Sequence, residues 1–239
     1  MIQLISTETS CIICYLKEDI NGMGRNLERD ERVRAELKQK ILETAFPVFA
    51  EKGIEPVSMN EIASACGISY ATLYRHYGTK AELVLAVNSR VWDVYYKEYH
   101  ARRDVSKMNA AEEFDFYLDS FLDLYRDHRD LLKFTQYFNV YIQREQVTAD
   151  QLQGFYDVLN SIAGSFHSIY EKAEKDGTVR TDIPEEEIFS STIHLMLAAV
   201  TRYSVGLVYQ NSSDLSKELT LLKELLFVFY RKEHDHEQK

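Results

Sequence analysis

The 239-residue chain is 45% hydrophobic and carries a formal net charge of −10. That apolar content excludes a disordered chain, and the acidity excludes a protein that coats nucleic acid without regard to sequence. Three prolines and nine glycines are few for this length, and with Leu, Glu, Lys, Ala and Tyr abundant the composition predicts an all-α fold.

The chain opens on a segment, residues 1–30, read as a poorly ordered N-terminal extension. Met23, just ahead of the first strongly helical stretch, is a candidate start of translation. Within the extension, "CIICYL" is too short to span a bilayer, so no membrane partner is expected. Cys11, Cys14 and Cys66 make an odd count without a disulfide framework, which suits the cytoplasm, and the C-x-x-C at 11–14 lacks the second pair that a zinc ribbon needs. No metal and no cofactor are expected.

From about Glu31 to Lys52 the residues Val33, Leu37, Ile41, Leu42, Ala45, Phe46 and Phe49 recur at helical spacing, and Gly53 supplies a left-handed stop. Pro47 predicts a kink near Glu43. Ser58 with Glu61 forms a capping box for a short helix that ends at Gly67, and Ser69 caps the next, which runs to Gly78. Thr79 with Glu82 forms a second box for a helix from Lys80 to about Tyr99. Ile62, Ile68, Leu73 and Leu83 are the predicted core joining these pieces. Residues 31–80 hold seven basic and six acidic side chains, so this stretch is slightly basic on an otherwise acidic molecule.

Two short helices crossed at a glycine turn are the geometry that lays one helix in the DNA major groove. Leu73 then faces inward, leaving Ser69, Tyr70, Ala71, Thr72, Arg75 and His76 outward. Small residues at the helix start permit close backbone approach; Thr72 and Tyr70 suit base or sugar contacts, and Arg75 and His76 suit phosphates. Lys80, at the next helix N-terminus, also suits a phosphate. Tyr74 reads equally as a DNA contact or as helix packing, and Tyr77 as packing.

The strings "ILETAFPVFAEKG" and "SMNEIASACGISYATLYRHYGTKAELVLAV" resemble the DNA-binding region of the TetR family of bacterial transcriptional regulators over about residues 38–87. The resemblance implies an all-helical homodimer, a three-helix head on DNA and a divergent helical body that binds an inducer and dimerises. By position it places Thr72, Tyr74 and His76 on the recognition helix and makes Lys80 the phosphate-gripping lysine. Pro47 departs from the commoner helix-favouring residue.

Beyond the fourth helix, polar breaks predict helices near 110–127, 130–144, 149–175, 185–209 and 214–232. The organisation expected is a helix-turn-helix domain over 31–78 and a ligand-binding and dimerisation bundle over 79–239. Apolar stripes Ile188, Leu195, Ala199 and Tyr203, and Leu215, Leu219, Leu222, Leu226 and Phe229, suit a four-helix interface between two copies, with monomer core packing as the alternative. A cavity lined by Tyr117, Phe121, Tyr137, Tyr141, Phe166 and Tyr170, with His194 and Met196, is the candidate site for a small apolar or aromatic effector. The function expected is a sequence-specific repressor released from a palindromic operator by a small molecule. The alternative is a DNA-bound protein whose body takes a protein partner. No catalytic motif points to an enzyme.

Overall fold

The computed structural model describes residues 5–145, 147–206 and 215–232, with side chains described from residue 29 onward, that of Leu215 excepted. Its helices are α1 (Ile5–Lys52), α2 (Met59–Cys66), α3 (Tyr70–His76), α4 (Lys80–His100), α5 (Ala110–Asp127), α6 (Arg129–Arg144), α7 (Gln153–Asp176), α8 (Glu185–Ser204) and α9 (Leu215–Tyr230). The fold is all-α; the only strand-like pairing among the described residues is an isolated bridge between Val179 and Arg231. The helical backbone of α1 begins at Ile5, well ahead of Glu31, and passes through Pro47 to Lys52. The cysteine pair at 11–14 and the tail 233–239 lie outside the residues whose side chains are described.

Local sequence explains the head. Ser58 Oγ accepts the Glu61 amide at 3.1 Å and Thr79 Oγ1 accepts the Glu82 amide at 3.1 Å, so α2 and α4 start where the caps require. The return halves of both expected capping boxes are corrected, however. The Glu61 carboxylate is taken by Lys52 Nζ at 2.5 Å, and the Glu82 carboxylate accepts the Gly78 amide at 2.9 Å, one residue before the cap. A nearby ammonium or a better-placed amide outcompetes the N-cap amide. The reciprocal box occurs instead at α5, between Asn109 and Glu112. Gly67 ends α2 at φ 69°, the left-handed conformation that lets the chain turn straight into α3.

Two buried clusters organise the chain. In the head, Ile41, Ala45 and Phe49 of α1 close on Ile62, Leu73, Leu83, Val84 and Val87, and the same cluster takes Phe134, Phe138 and Tyr141 from α6. The Phe134 ring meets Phe46 edge-on at 5.7 Å and Phe49 at 6.4 Å. The head therefore shares its core with two helices of the body, α4 and α6. The second cluster centres on Phe114, which is fully buried against Phe166, Phe227 and Tyr230.

The stripes expected at a dimer interface divide between two roles. Ile188, Leu219 and Leu226 are buried in the protomer's own core, and Ala199, Tyr203 and Leu222 pack against it. Tyr203 also spends its hydroxyl on Glu218 at 2.7 Å. The side chain of Leu215 lies outside the described residues. The most regular apolar stripe of each helix turns inward because the body needs it; Leu195 and Phe229 remain outside, joined by Leu221, Leu225 and Val228.

Candidate functional site

The outer surface of the head is built on α3. Ser69 caps it, accepting the Thr72 amide at 3.1 Å, and its hydroxyl lies 2.9 Å from that of Thr72. Arg75 Nη2 donates to Thr72 Oγ1 at 3.3 Å. Leu73 is fully buried beneath the helix, as its position predicts, while Ser69, Tyr70, Ala71, Tyr74 and Arg75 are exposed and Thr72 half-buried. Tyr70 and Tyr74 are 47% and 54% exposed with their rings stacked at 6.1 Å. Two large aromatic side chains left in water on so short a helix are unusual.

The electrostatics extend this surface onto α1. His76 Nδ1 is buried without a hydrogen-bond partner among the described residues. Burial, then the charges of Arg34, Lys38 and Arg75, push the His76 imidazole below its ordinary range. At neutral pH it is uncharged, so the positive charge of this surface comes from Arg34, Lys38 and Arg75, none of which is ion-paired among the described residues. Arg34 and Lys38 were not among the sequence-derived candidates; their spacing of four along α1, toward the residues of α3, was the available signal. Lys80 sits elsewhere: its Nζ donates to the Glu55 carbonyl at 2.9 Å and lies 5.6 Å above the Tyr141 ring, at the seam between head and body. Burial there lowers its pKa despite Glu55 and Glu145.

The His76 geometry sets an acid sensitivity. Because its folded pKa lies below the ordinary value of 6.5, the unfolded chain takes up the proton first as pH falls. The stability from keeping His76 neutral is present at neutral pH and is lost progressively below about 6.5. Thermal unfolding followed from pH 7.5 to pH 5 is expected to show a fall in Tm that is smaller in His76→Gln; an equal fall in both proteins would assign the sensitivity elsewhere.

Beneath the head lies a cavity of about 130 Å³. Its walls include Asn88, Trp92, Tyr95, Tyr96, Tyr99 and His100 of α4, Tyr117, Ser120, Phe121 and Leu124 of α5, Thr135, Phe138 and Asn139 of α6, Phe155, Val158, Leu159 and Ile162 of α7, and Ile193 and Leu197 of α8. Of the residues expected to line a pocket, Tyr117 and Phe121 do so. The other six are placed otherwise. Tyr141 is buried in the head cluster and Tyr137 packs against it, with its ring near Gly53. Phe166 fills the core against Phe114 and Tyr117, and Met196 is fully buried there. Tyr170 donates to the Ile183 carbonyl at 3.0 Å, and His194 borders a separate open depression with Ala198 and Arg202. Aromatic spacing alone does not distinguish a ring that fills the core from one that borders a void. The contribution of α4 was missed, although Asn88 interrupts its apolar stripe between Val84 and Val91 and was the signal to follow.

Residues 41–87 match the family model for bacterial regulatory proteins of the tetR family. A helix-turn-helix-type transcriptional regulator of Staphylococcus aureus is 37% identical over 98 residues, covering 41% of this chain and 52% of that protein. A second from the same species is 34% identical over 92 residues, 36% of this chain and 50% of that protein. The chain thus spans about half the length of the curated relatives it matches. Among solved structures, a Saccharomonospora viridis protein in complex with choline aligns with a TM-score of 0.67 at 18% identity, over 83% of this chain and 100% of that one. The regulator FadR from Bacillus subtilis, in complex with stearoyl-CoA, aligns at 0.62 and 18%, over 79% and 97%. These structural likenesses establish the shared fold. Among the described residues, no helix is long and apolar enough to cross a membrane, and no cluster of His, Cys, Asp and Glu could hold a metal ion.

Proposed function

We propose that this chain, a member of the TetR family of bacterial regulatory proteins, is a homodimeric repressor that leaves a palindromic operator when a small molecule fills the cavity of its body. The match of its helix-turn-helix region to the tetR family model supports a transcriptional regulator; release by a ligand rests on one observation. The helices that line the cavity also complete the head core. On α4, Asn88 follows Val87 directly; on α6, Phe138 belongs to the head cluster and to the cavity wall at once. A ligand that moves either helix by a fraction of a turn must repack the seat of α3. The coupling needs only about 1–3 kcal/mol to change operator affinity severalfold to a hundredfold.

On DNA, Tyr70, Tyr74 and Thr72 face the bases from α3, with Ser69 and Ala71 admitting the backbone, while Arg75, Arg34 and Lys38 take phosphates. Lys80, held on Glu55 and Tyr141, contributes by fixing the head on the body and reaches a phosphate only by leaving that seat. His76 acts as a neutral buried support. Leu195, Leu221, Leu225 and Val228 form the face that meets a second copy. The solved neighbours hold ligands as different as choline and stearoyl-CoA, so the ligand class here is set by this chain's own cavity.

The test is selection of bound duplexes from a random pool, followed by sequencing. An inverted repeat is the expected product, because a two-fold dimer presents two α3 helices to successive major grooves. A single unrepeated half-site, or no enriched motif, would overturn the dimeric reading.

A further inference from the structure

The cavity itself selects only the apolar part of a ligand. Its walls carry no Asp, Glu, Lys or Arg, so the sign of a ligand's charge is decided where the cavity meets the surface. Two of the depressions that share walls with it differ in this respect. The one between α4 and α7 shares Tyr96 and Val158 with the cavity, and there Arg90 stands with Asp93 and Asp157. Asp93 is also paired with Lys97 Nζ at 2.9 Å. The charges of that mouth balance one another.

The depression between α6 and α8, which holds His194, shares Asn139, Ile193 and Leu197 with the cavity. Ile193 and Leu197 are half-buried, one turn apart on α8, so apolar surface continues from the cavity into the depression. Arg202 follows Leu197 by about 7–8 Å of helix axis, a distance that several methylenes bridge. It is exposed and makes no ion pair among the described residues, and no Asp or Glu borders the depression. A guanidinium without an opposite charge, with the amides of Gln136 and Asn139 in the same depression, offers a carboxylate both charge and forked donors.

We infer that the body binds an amphipathic anion, its hydrocarbon part in the aromatic cavity and its carboxylate at Arg202 in the α6–α8 depression. This rests on the reading of the cavity as the effector site and names the chemical class it accepts. The chain supplies affinity through burial, and the ion pair at the mouth chooses the head group. Neither part suffices alone: a carboxylate without a chain leaves the cavity empty, and a chain with a neutral or cationic head leaves Arg202 unpaired.

Trp92, the single tryptophan of the chain, lines the cavity and reports its occupancy. Its fluorescence in the full-length protein is to be titrated at neutral pH with n-octanoate, n-octanol, n-octylammonium and acetate. A saturable response to octanoate is expected, a weaker one to octylammonium, and none to acetate. Arg202→Gln should lower the octanoate affinity relative to octanol by roughly threefold to tenfold, the range for a partly solvated, charge-assisted pair. Arg202→Lys should keep most of that ratio, and added salt should reduce it in the wild type only. Because Arg202 lies two turns beyond Leu195 of the proposed dimer face, sedimentation velocity accompanies each variant; if Arg202→Gln dissociates, the salt series on the wild type decides. The inference is overturned if octanoate gives no saturable response, if octylammonium binds as tightly, or if the octanoate-to-octanol ratio is indifferent to Arg202→Gln or to salt. Operator binding on the same samples separates the two readings: bound octanoate with unchanged DNA affinity refutes release by this ligand and leaves the ligand class standing, whereas intact DNA binding with no octanoate bound refutes the ligand class alone.

Discussion

Leu221→Glu combined with Leu225→Glu is expected to yield a folded monomer whose operator affinity is lower by roughly two orders of magnitude or more, because linked half-site binding is lost. The two leucines are 56% and 59% exposed, one turn apart on α9, with Val228 69% exposed in the next turn and Leu195 46% exposed on α8. Such an apolar face on two adjacent helices suits a symmetric contact in which each α9 meets its counterpart. Carboxylates placed there would be buried opposite one another in the dimer, which opposes association strongly. The fold should survive, because α9 is held from its other side by Leu219 and Leu226 and by Lys223, whose Nζ lies 2.9 Å from Asp115 and 2.5 Å from Asp119. Sedimentation velocity reads the oligomeric state and circular dichroism the fold; a variant that remains a dimer places the interface elsewhere.

The second large effect is expected in the head. Tyr70→Ala with Tyr74→Ala should weaken operator binding by about 2–4 kcal/mol, taking about 1–2 kcal/mol for each lost side chain at the groove. Stability should change by less than about 1 kcal/mol, since both rings are half-exposed and contact mainly each other. The contrast with Leu73 is direct. That residue, on the same helix, is fully buried, and Leu73→Ala should cost about 2–5 kcal/mol of folding free energy with DNA binding lost through the fold. Denaturant titration beside a gel-shift assay distinguishes the two modes of failure. A Tyr70/Tyr74 variant with native affinity would remove these rings from the interface.

The head was largely legible in the sequence because its signals are local. Ser58, Ser69 and Thr79 each cap the helix that follows, Gly67 turns the chain with a positive φ, and Leu73 points inward. What escaped was decided by groups distant in the chain. Glu61 leaves its capping role for Lys52, and Lys80 turns to a carbonyl 25 residues away. In the body the helix positions were legible from polar breaks, yet the cavity was not. Tyr117 borders it while Phe166, at comparable helical spacing, fills the core, and only the packing of α4 against α5, α6 and α7 makes that distinction. The same holds on α9, where the more regular stripe is consumed by the chain's own core.

The claim on which the account stands is that α3 reads a DNA sequence. Its most direct test is fluorescence anisotropy of a labelled duplex taken from upstream of the protein's own gene, against a shuffled duplex, at two salt concentrations. Tight binding to the first duplex is expected, with weak binding to the second and a loss of affinity at the higher salt that reflects phosphate contacts from Arg34, Lys38 and Arg75. Equal, weak binding to both duplexes, and to every duplex recovered by selection, would contradict it.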